Sequence, residues 1–260
     1  NIRSHGRLYV FDDPQEAKDQ VFYDPLSKTA FLLNFRYYGW IKSLALSVSG
    51  DMLEDEHGIF SLHGACIDTG CGGLCIMGYS GTGKSTQTYG LMREAGVKVV
   101  SDDWCFARVF GQDILAYGSE KNFYIRADLA TVWPEFHDLV SRAEFDAEGR
   151  AVVDLRWVVG KGRILPLTVM RTLVLLTREQ SGTATVRKLE AEDALEILGK
   201  SSFFNPHLLV RNGYKTGIRT KFFRDLVTRT SVFEVNTAGT PEDSQALIRE
   251  LAGLRIRKEV

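Results

Sequence analysis

The chain predicts an α/β protein with a mixed central sheet and flanking helices. Three observations lead there. Short apolar runs of strand length alternate with stretches of helical period. Glycine-rich or Asp-Pro turn signals separate them. One apolar run, residues 74–78, enters a glycine-rich loop that opens directly into a helix.

The elements follow in order. Residues 7–11 and 29–35 read as strands of an N-terminal sheet, separated by turn signals at Asp13-Pro14 and Asp24-Pro25. Trp40, Ile41, Leu44, Ala45, Val48 and Met52 recur at helical spacing, which predicts a helix over 40–55 with Gly58 beyond it. Residues 62–68 and 74–78 flank the turn Thr69-Gly70-Cys71-Gly72-Gly73, a hairpin pattern. A helix is predicted over 85–95, stopped by Gly96, and then a buried strand over 97–100 ending in Ser101-Asp102-Asp103. Residues 104–110 and 114–117 form a second hairpin pattern around Gly111-Gln112-Asp113. Helices are expected over 128–142 and 191–198, and strands over 172–177 and 232–235. Asn205-Pro206 offers an N-cap and a first-turn proline for a helix reaching residue 230, with a break at Gly213 or Gly217. Thr240-Pro241-Glu242-Asp243 starts a last helix to about residue 257. Residues 1–57 are expected as strands and a helix packed on a catalytic domain of residues 58–260.

Bulk composition narrows the function classes. The chain has 260 residues, 44% apolar and 25% charged, an ordinary globular balance. Its net charge of −1 supplies no basic field for nucleic acid or an anionic membrane, so neither is expected as a partner. No apolar run is long enough for a transmembrane helix, and the first residues lack the apolar core of a signal peptide. The chain does not begin with Met, which implies a start inside a longer natural sequence; a cytoplasmic location is expected. Cys66, Cys71, Cys75 and Cys105 match neither a zinc pair nor a secreted disulfide framework and are expected as free thiols, with Cys66 and Cys75 facing each other across the first hairpin.

Gly78-Tyr79-Ser80-Gly81-Thr82-Gly83-Lys84-Ser85 fits G-x-x-x-x-G-K-[ST] at every fixed position. Glycines allow left-handed dihedrals, so successive N–H groups can turn towards an anion. The following helix adds its free N–H groups and positive dipole end. Lys84 supplies a point charge for the β- and γ-phosphates, and the Ser85 hydroxyl a hard ligand for Mg²⁺. Nucleotide-binding candidates are therefore Gly78, Ser80, Gly81, Thr82, Gly83, Lys84, Ser85 and Thr86. A chance match in an ordinary strand-turn-helix is the competing reading; the register of strand, loop and helix weighs against it.

Asp102 and Asp103 end the next buried strand. Adjacent side chains there point to opposite sides, so one carboxylate can reach a metal while the other faces an acceptor. The competing reading is a solvated pair capping a turn. The early acidic pair, the hairpin arm entering the loop and the absence of an [NT]-K-x-D motif argue against motor, GTPase and transport ATPase readings.

Leu62-His63-Gly64-Ala65, then Gly78 to Ser85, then Val100-Ser101-Asp102-Asp103 resemble the HPr kinase/phosphorylase and phosphoenolpyruvate carboxykinase superfamily. The resemblance covers roughly residues 60–105. It implies a P-loop kinase fold of that type, with ATP and Mg²⁺ as nucleotide and metal. By it, Lys84 grips phosphates, Ser85 takes Mg²⁺, Asp102 and Asp103 divide metal binding and general-base work, and His63 sits beside the transferred phosphate or orients the base. Taken alone, His63 reads as a satisfied histidine on a strand. The HPr kinases carry a Pro-Gly-Arg-Asn-type signature tied to phosphorolysis; Arg211-Asn212-Gly213 is the nearest fragment here and matches poorly. The segment before the loop is too short for the oxaloacetate-binding domain of a carboxykinase. The expectation is an ATP- and Mg²⁺-dependent kinase acting on a hydroxyl of a small molecule or peptide. A serine protein kinase of HPr-kinase type and a non-catalytic nucleotide sensor are the alternatives. HPr kinases are hexamers, which leaves room for a homo-oligomer.

On the acceptor side, Glu120 is a candidate for a substrate hydroxyl, and Lys121 and Arg126 for phosphate or substrate; a solvated loop leading into a strand explains them equally well. Arg211, Lys215 and Arg219 share a helix face at a spacing of four and, with Lys221, are expected as a solvated basic surface. Glu54, Asp55, Glu56 and His57 read as a charged helix end.

Overall fold

The computed structural model describes residues 5–15, 18–120, 122–179, 182–207 and 209–254. The chain opens with β1 (Arg7–Phe11), β2 (Gln20–Asp24) and β3 (Thr29–Leu33), then α1 (Tyr38–His57). Next come β4 (Phe60–Leu62), β5 (Gly64–Asp68), β6 (Gly73–Gly78), α2 (Lys84–Met92), β7 (Lys98–Ser101), β8 (Cys105–Phe110), β9 (Asp113–Gly118) and β10 (Asn122–Arg126). Short helices α3 (Leu129–Val132) and α4 (His137–Arg142) lead to β11 (Arg150–Asp154) and α5 (Leu155–Val159). The last part holds β12 (Leu167–Thr177), β13 (Thr185–Leu189), α6 (Ala191–Lys200), α7 (Gly213–Arg229), β14 (Ser231–Asn236) and α8 (Pro241–Leu251).

β12 joins two leaves of one curled mixed sheet. Its first residues pair antiparallel with β9, which continues through β8 to β4. Its later residues run parallel to β6 on one side and β14 on the other. β5 extends the β6 side and pairs with β7, both antiparallel, and β13 pairs with β14. In the β6–β12 pair, side chains alternate between two cores, as the pleat requires. Leu74, Ile76, Val174 and Leu176 meet Leu91 of α2 and Ile248 of α8. Cys75, Met77, Leu173 and Leu175 face Phe222, Phe223 and Leu226 of α7. With helices on both faces, such strands read as unbroken apolar runs. Cys66 pairs with Cys75 in the hairpin register, and all four cysteines are free.

Several elements depart from the expectations. The stretch 128–142 is broken at Trp133-Pro134 into two short helices, because proline removes a helical N–H and restricts the residue before it. The helix expected from Asn205 starts instead at Asn212, whose side chain caps the Lys215 N–H. The last helix has its Thr240–Asp243 capping box but ends at Leu251, and Gly253 is left-handed at φ 69°; residues 255–257 lie outside the described residues. β2, β11 and β13 add strands where none was expected.

The basic face expected on the 211–221 helix is overturned at two of its members. Lys215 and Arg219 are buried and ion-paired with α1: Lys215 Nζ lies 2.7 Å from Asp51 and 2.6 Å from Asp55, and Arg219 2.8 Å from Glu54. His207, also buried, lies 3.0 Å from Glu54 and 3.0 Å from the Ser47 carbonyl. The acids read as a charged helix end therefore form an internal lock between α1 and α7. Gly50 permits the approach, since a Cβ there would sit 2.2 Å from His207.

Candidate active site

The loop between β6 and α2 is shaped by its own residues. Gly81 and Gly83 have φ 85° and 94°, the left-handed region that glycine enters without a Cβ clash. A Cβ on Gly78 would come within 2.4 Å of Thr82 Oγ1. That hydroxyl donates to the Tyr79 carbonyl at 2.8 Å, and Thr237, just past β14, donates to the Thr82 carbonyl at 2.8 Å. Lys84 Nζ donates to the Gly78 carbonyl at 2.6 Å. Burial lowers the Lys84 pKa, and the charges of Asp103 and Asp102 oppose that fall. Ser80 and Ser85 are exposed, and Thr86 is partly so, with its carbonyl accepting from Trp133 Nε1 at 2.8 Å. The loop thus holds free N–H groups, an ammonium and a hydroxyl at the start of one helix.

The acidic pair is brought opposite His63 by a bend shared by two ribbons. β4 pairs with β8 up to Leu62–Cys105, and β5 pairs with β7 from Cys66–Ser101. Residues 63–65 and 102–104 lie between these pairs, where both ribbons pass from one leaf to the other. His63 Nε2 accordingly lies 3.3 Å from Asp103 Oδ1. Trp104 fixes the bend: its carbonyl accepts from Ser101 and Ser119 hydroxyls, and its ring stacks on His63 at 6.0 Å. Phe203 meets His63 edge-on at 6.2 Å and Tyr79 at 5.0 Å, which walls this side with rings.

The two carboxylates differ in environment. Asp102 is 3% exposed, and its Oδ1 has no hydrogen-bond partner among the described residues. Burial first, then the charges of Asp103 and Glu120, push its pKa up to about 8. Asp103 is partly exposed. Burial is outweighed there by the His63 hydrogen bond and the charges of His63, Lys42 and Lys84, so its pKa falls. One carboxylate thus holds its proton near neutrality and its neighbour is ionised.

The candidates for the acceptor side separate. Glu120 is buried near the pair; burial and the Asp103 charge raise its pKa, against Lys42. Arg126 is exposed at the far end of β10, 3.5 Å from Asp128, and shares no contact with the acidic pair. Lys121 lies outside the described residues. Lys42 of α1, 2.7 Å from Glu120, was missed; nothing in a helical lysine signals a partner so distant in sequence. Arg178, just past β12, was also missed and reaches the Gly81 carbonyl at 3.4 Å. Its place at the end of a strand parallel to β6 was the available signal.

Among the described residues, no three His, Cys, Asp or Glu side chains are grouped as a metal cage. Mg²⁺ usually takes only one or two carboxylates, with phosphate and water completing its shell. Ser85 and the ionised Asp103 are a donor set of that kind. No helix among the described residues is long and apolar enough to cross a membrane.

No known family model matches the chain, and no curated protein matches it. Among solved structures it is similar to the HPr(Ser) kinase/phosphatase from Coxiella burnetii, with a TM-score of 0.42 and 12% identity over 74% of this chain and 95% of that one.

Proposed function

We propose that this chain is an ATP- and Mg²⁺-dependent kinase that transfers the γ-phosphoryl group to a hydroxyl of a small molecule or peptide. The observation that carries this reading is the relation of Lys84 to the acidic pair: the half-buried lysine of a glycine-shaped loop lies within the field of Asp103 and Asp102. Phosphoryl transfer needs such an arrangement, because charge develops on the phosphoryl oxygens while the acceptor loses a proton.

The roles follow from the environments. Asp103, ionised and hydrogen-bonded to His63, is suited with Ser85 to the metal. Mg²⁺ held there would supply positive charge beside the phosphates and would lower the Asp102 pKa. Asp102, with a pKa of about 8 and an unpartnered Oδ1, is suited to take the acceptor proton, since a general base works best near the ambient pH. Lys84 and the loop N–H groups hold the leaving diphosphate. Glu120 orients the acceptor hydroxyl. A nucleotide sensor has no use for a buried base beside its phosphate loop.

The test is ADP formation from MgATP with total cell extract, and labelled phosphate followed into protein and metabolite fractions. Lys84→Ala and Asp103→Asn should each lower turnover by at least about a hundredfold. A near-wild-type rate in either variant removes the mechanism. Label in a protein fraction identifies a protein kinase, and label in a metabolite a small-molecule kinase.

A further inference from the structure

Buried polar atoms without a directed hydrogen bond gather beside the acidic pair. Asp102 Oδ1, Trp104 Nε1 and Glu120 Oε1 are in this condition among the described residues, while Lys42 Nζ and Glu120 Oε2 meet only each other, as an ion pair at 2.7 Å. Each such atom is costly to bury, so several together in a native fold call for a reason. A ligand that completes the network is one.

Lys42 stands out because of where it comes from. It lies on α1, within the N-terminal strand-and-helix segment, yet its side chain is 10% exposed and its ammonium lies 2.7 Å from Glu120, itself 8% exposed. The ammonium also sits 4.3 Å from the centre of the Tyr124 ring. Lys42 acts electrostatically on both Asp102 and Asp103, and Lys84 acts on the same two. The charges of two ammonium groups, one on the phosphate-loop helix and one on the N-terminal helix, therefore act on the carboxylate pair. The Asp51, Glu54 and Asp55 contacts to Lys215 and Arg219 hold α1 in the place that delivers Lys42.

We propose that Lys42 is the second cation of the transfer site and binds an oxygen of the phosphoryl group as it moves between nucleotide and acceptor. This rests on the kinase reading. In the step, the bond from the acceptor oxygen to phosphorus forms as the bond to the β-phosphate oxygen breaks. The diphosphate leaves with the electron pair, and the acceptor proton goes to Asp102. Lys42 keeps its proton and shares it with the phosphoryl oxygen. Glu120 holds the ammonium when that oxygen is absent, which keeps a flexible, strongly hydrated cation inside the fold. The N-terminal segment thereby completes the site.

An acceptor-independent experiment tests this. Fluorescent mant-ADP with Mg²⁺ is titrated into the full chain with and without aluminium fluoride, which mimics the phosphoryl group in transit. In the wild type, aluminium fluoride should tighten binding about tenfold or more. In Lys42→Met, which keeps the stem on the Tyr124 ring, the mant-ADP affinity should stay within about threefold while the tightening is lost, as for a missing charge-assisted hydrogen bond. Lys42→Arg should retain part of it. The double variant Lys42→Met/Glu120→Gln separates the role from a structural one. If the pair only neutralised itself, removing both charges would bring the tightening back; the proposal requires that it stay lost. Full tightening in Lys42→Met, or its return in the double variant, overturns the proposal alone. A wild type that binds mant-ADP with no tightening, or does not bind it, sinks the kinase reading and this proposal together.

Discussion

Replacing Asp102 by asparagine should stabilise the protein, and increasingly so as pH rises. The folded state raises this carboxyl from 3.8 to about 8, chiefly through burial. A pKa raised on folding favours the folded state fully below the unfolded value, and that advantage is lost as pH rises through the folded one. Wild-type stability thus falls by about 1.4 kcal/mol for each pH step between about 4 and 8, close to 3 kcal/mol from pH 5 to pH 7. Asparagine has nearly the same shape and cannot ionise, so it does not suffer this loss. Its buried amide adds a cost of its own, which is the same at each pH and cancels in the comparison. Thermal unfolding in Mg²⁺-free buffer at pH 5, 6 and 7, followed by circular dichroism, reads the difference. At about 2–4 °C per kcal/mol for a chain of this size, the Tm of Asp102→Asn relative to wild type should rise by about 5–10 °C from pH 5 to pH 7. Turnover by the same variant should fall at least about a hundredfold, so stability and activity move in opposite directions. A Tm difference that is flat across this range, or that shrinks with pH, refutes the claim that Asp102 is a carboxyl kept protonated by its surroundings.

Two further substitutions probe the frame around the site. Glu54→Gln leaves Arg219 and Lys215 short of a buried counter-charge and should cost about 3–5 kcal/mol in urea denaturation. The His207 and Arg219 contacts outweigh burial and hold the Glu54 pKa at about 2, against 4.5 normally, so the wild type should lose this contribution as pH falls from about 4.5 through 2. A loss under about 1 kcal/mol would show that the lock between α1 and α7 carries little. Gly83→Ala meets no neighbouring atom but keeps φ 94°, so its effect is backbone strain of about 1–2 kcal/mol and a loop displaced from its anion-binding shape. Mant-ATP affinity should weaken about tenfold; an unchanged affinity would mean that the loop is not the phosphate cradle.

The parts of this molecule that could be read in advance are those made by neighbours in sequence. The phosphate loop is a run of eight residues whose glycines have a local reason to be there, and Asp102-Asp103 is marked by the buried strand it ends. The strands that escaped notice are those with little to bury. β13 exposes four of its five residues, and β11 completes a two-stranded sheet with β10 rather than joining the central one. The helix start was misplaced for a local reason as well: Asn205-Pro206 offers a cap and a first-turn proline, but His207 is buried against α1 and the cap that is used is Asn212. The spacing of Lys215 and Arg219 on one face was legible, but their solvation was not. Glu54, which pairs with both, lies 161 residues from Lys215 and 165 from Arg219, a pairing that no window on the sequence contains. The same division runs through the site. On the proposed kinase reading, the donor side is one contiguous loop and helix, whereas the acceptor side is assembled from α1, the bend after β4 and the segment between β9 and β10. Recognition of the acceptor therefore depends on long-range placement, with Lys42 and Glu120 meaningful only as a pair. On that reading, the sequence reaches the proposed donor half and stops at the proposed acceptor half because the fold, and not any local run of residues, builds the latter.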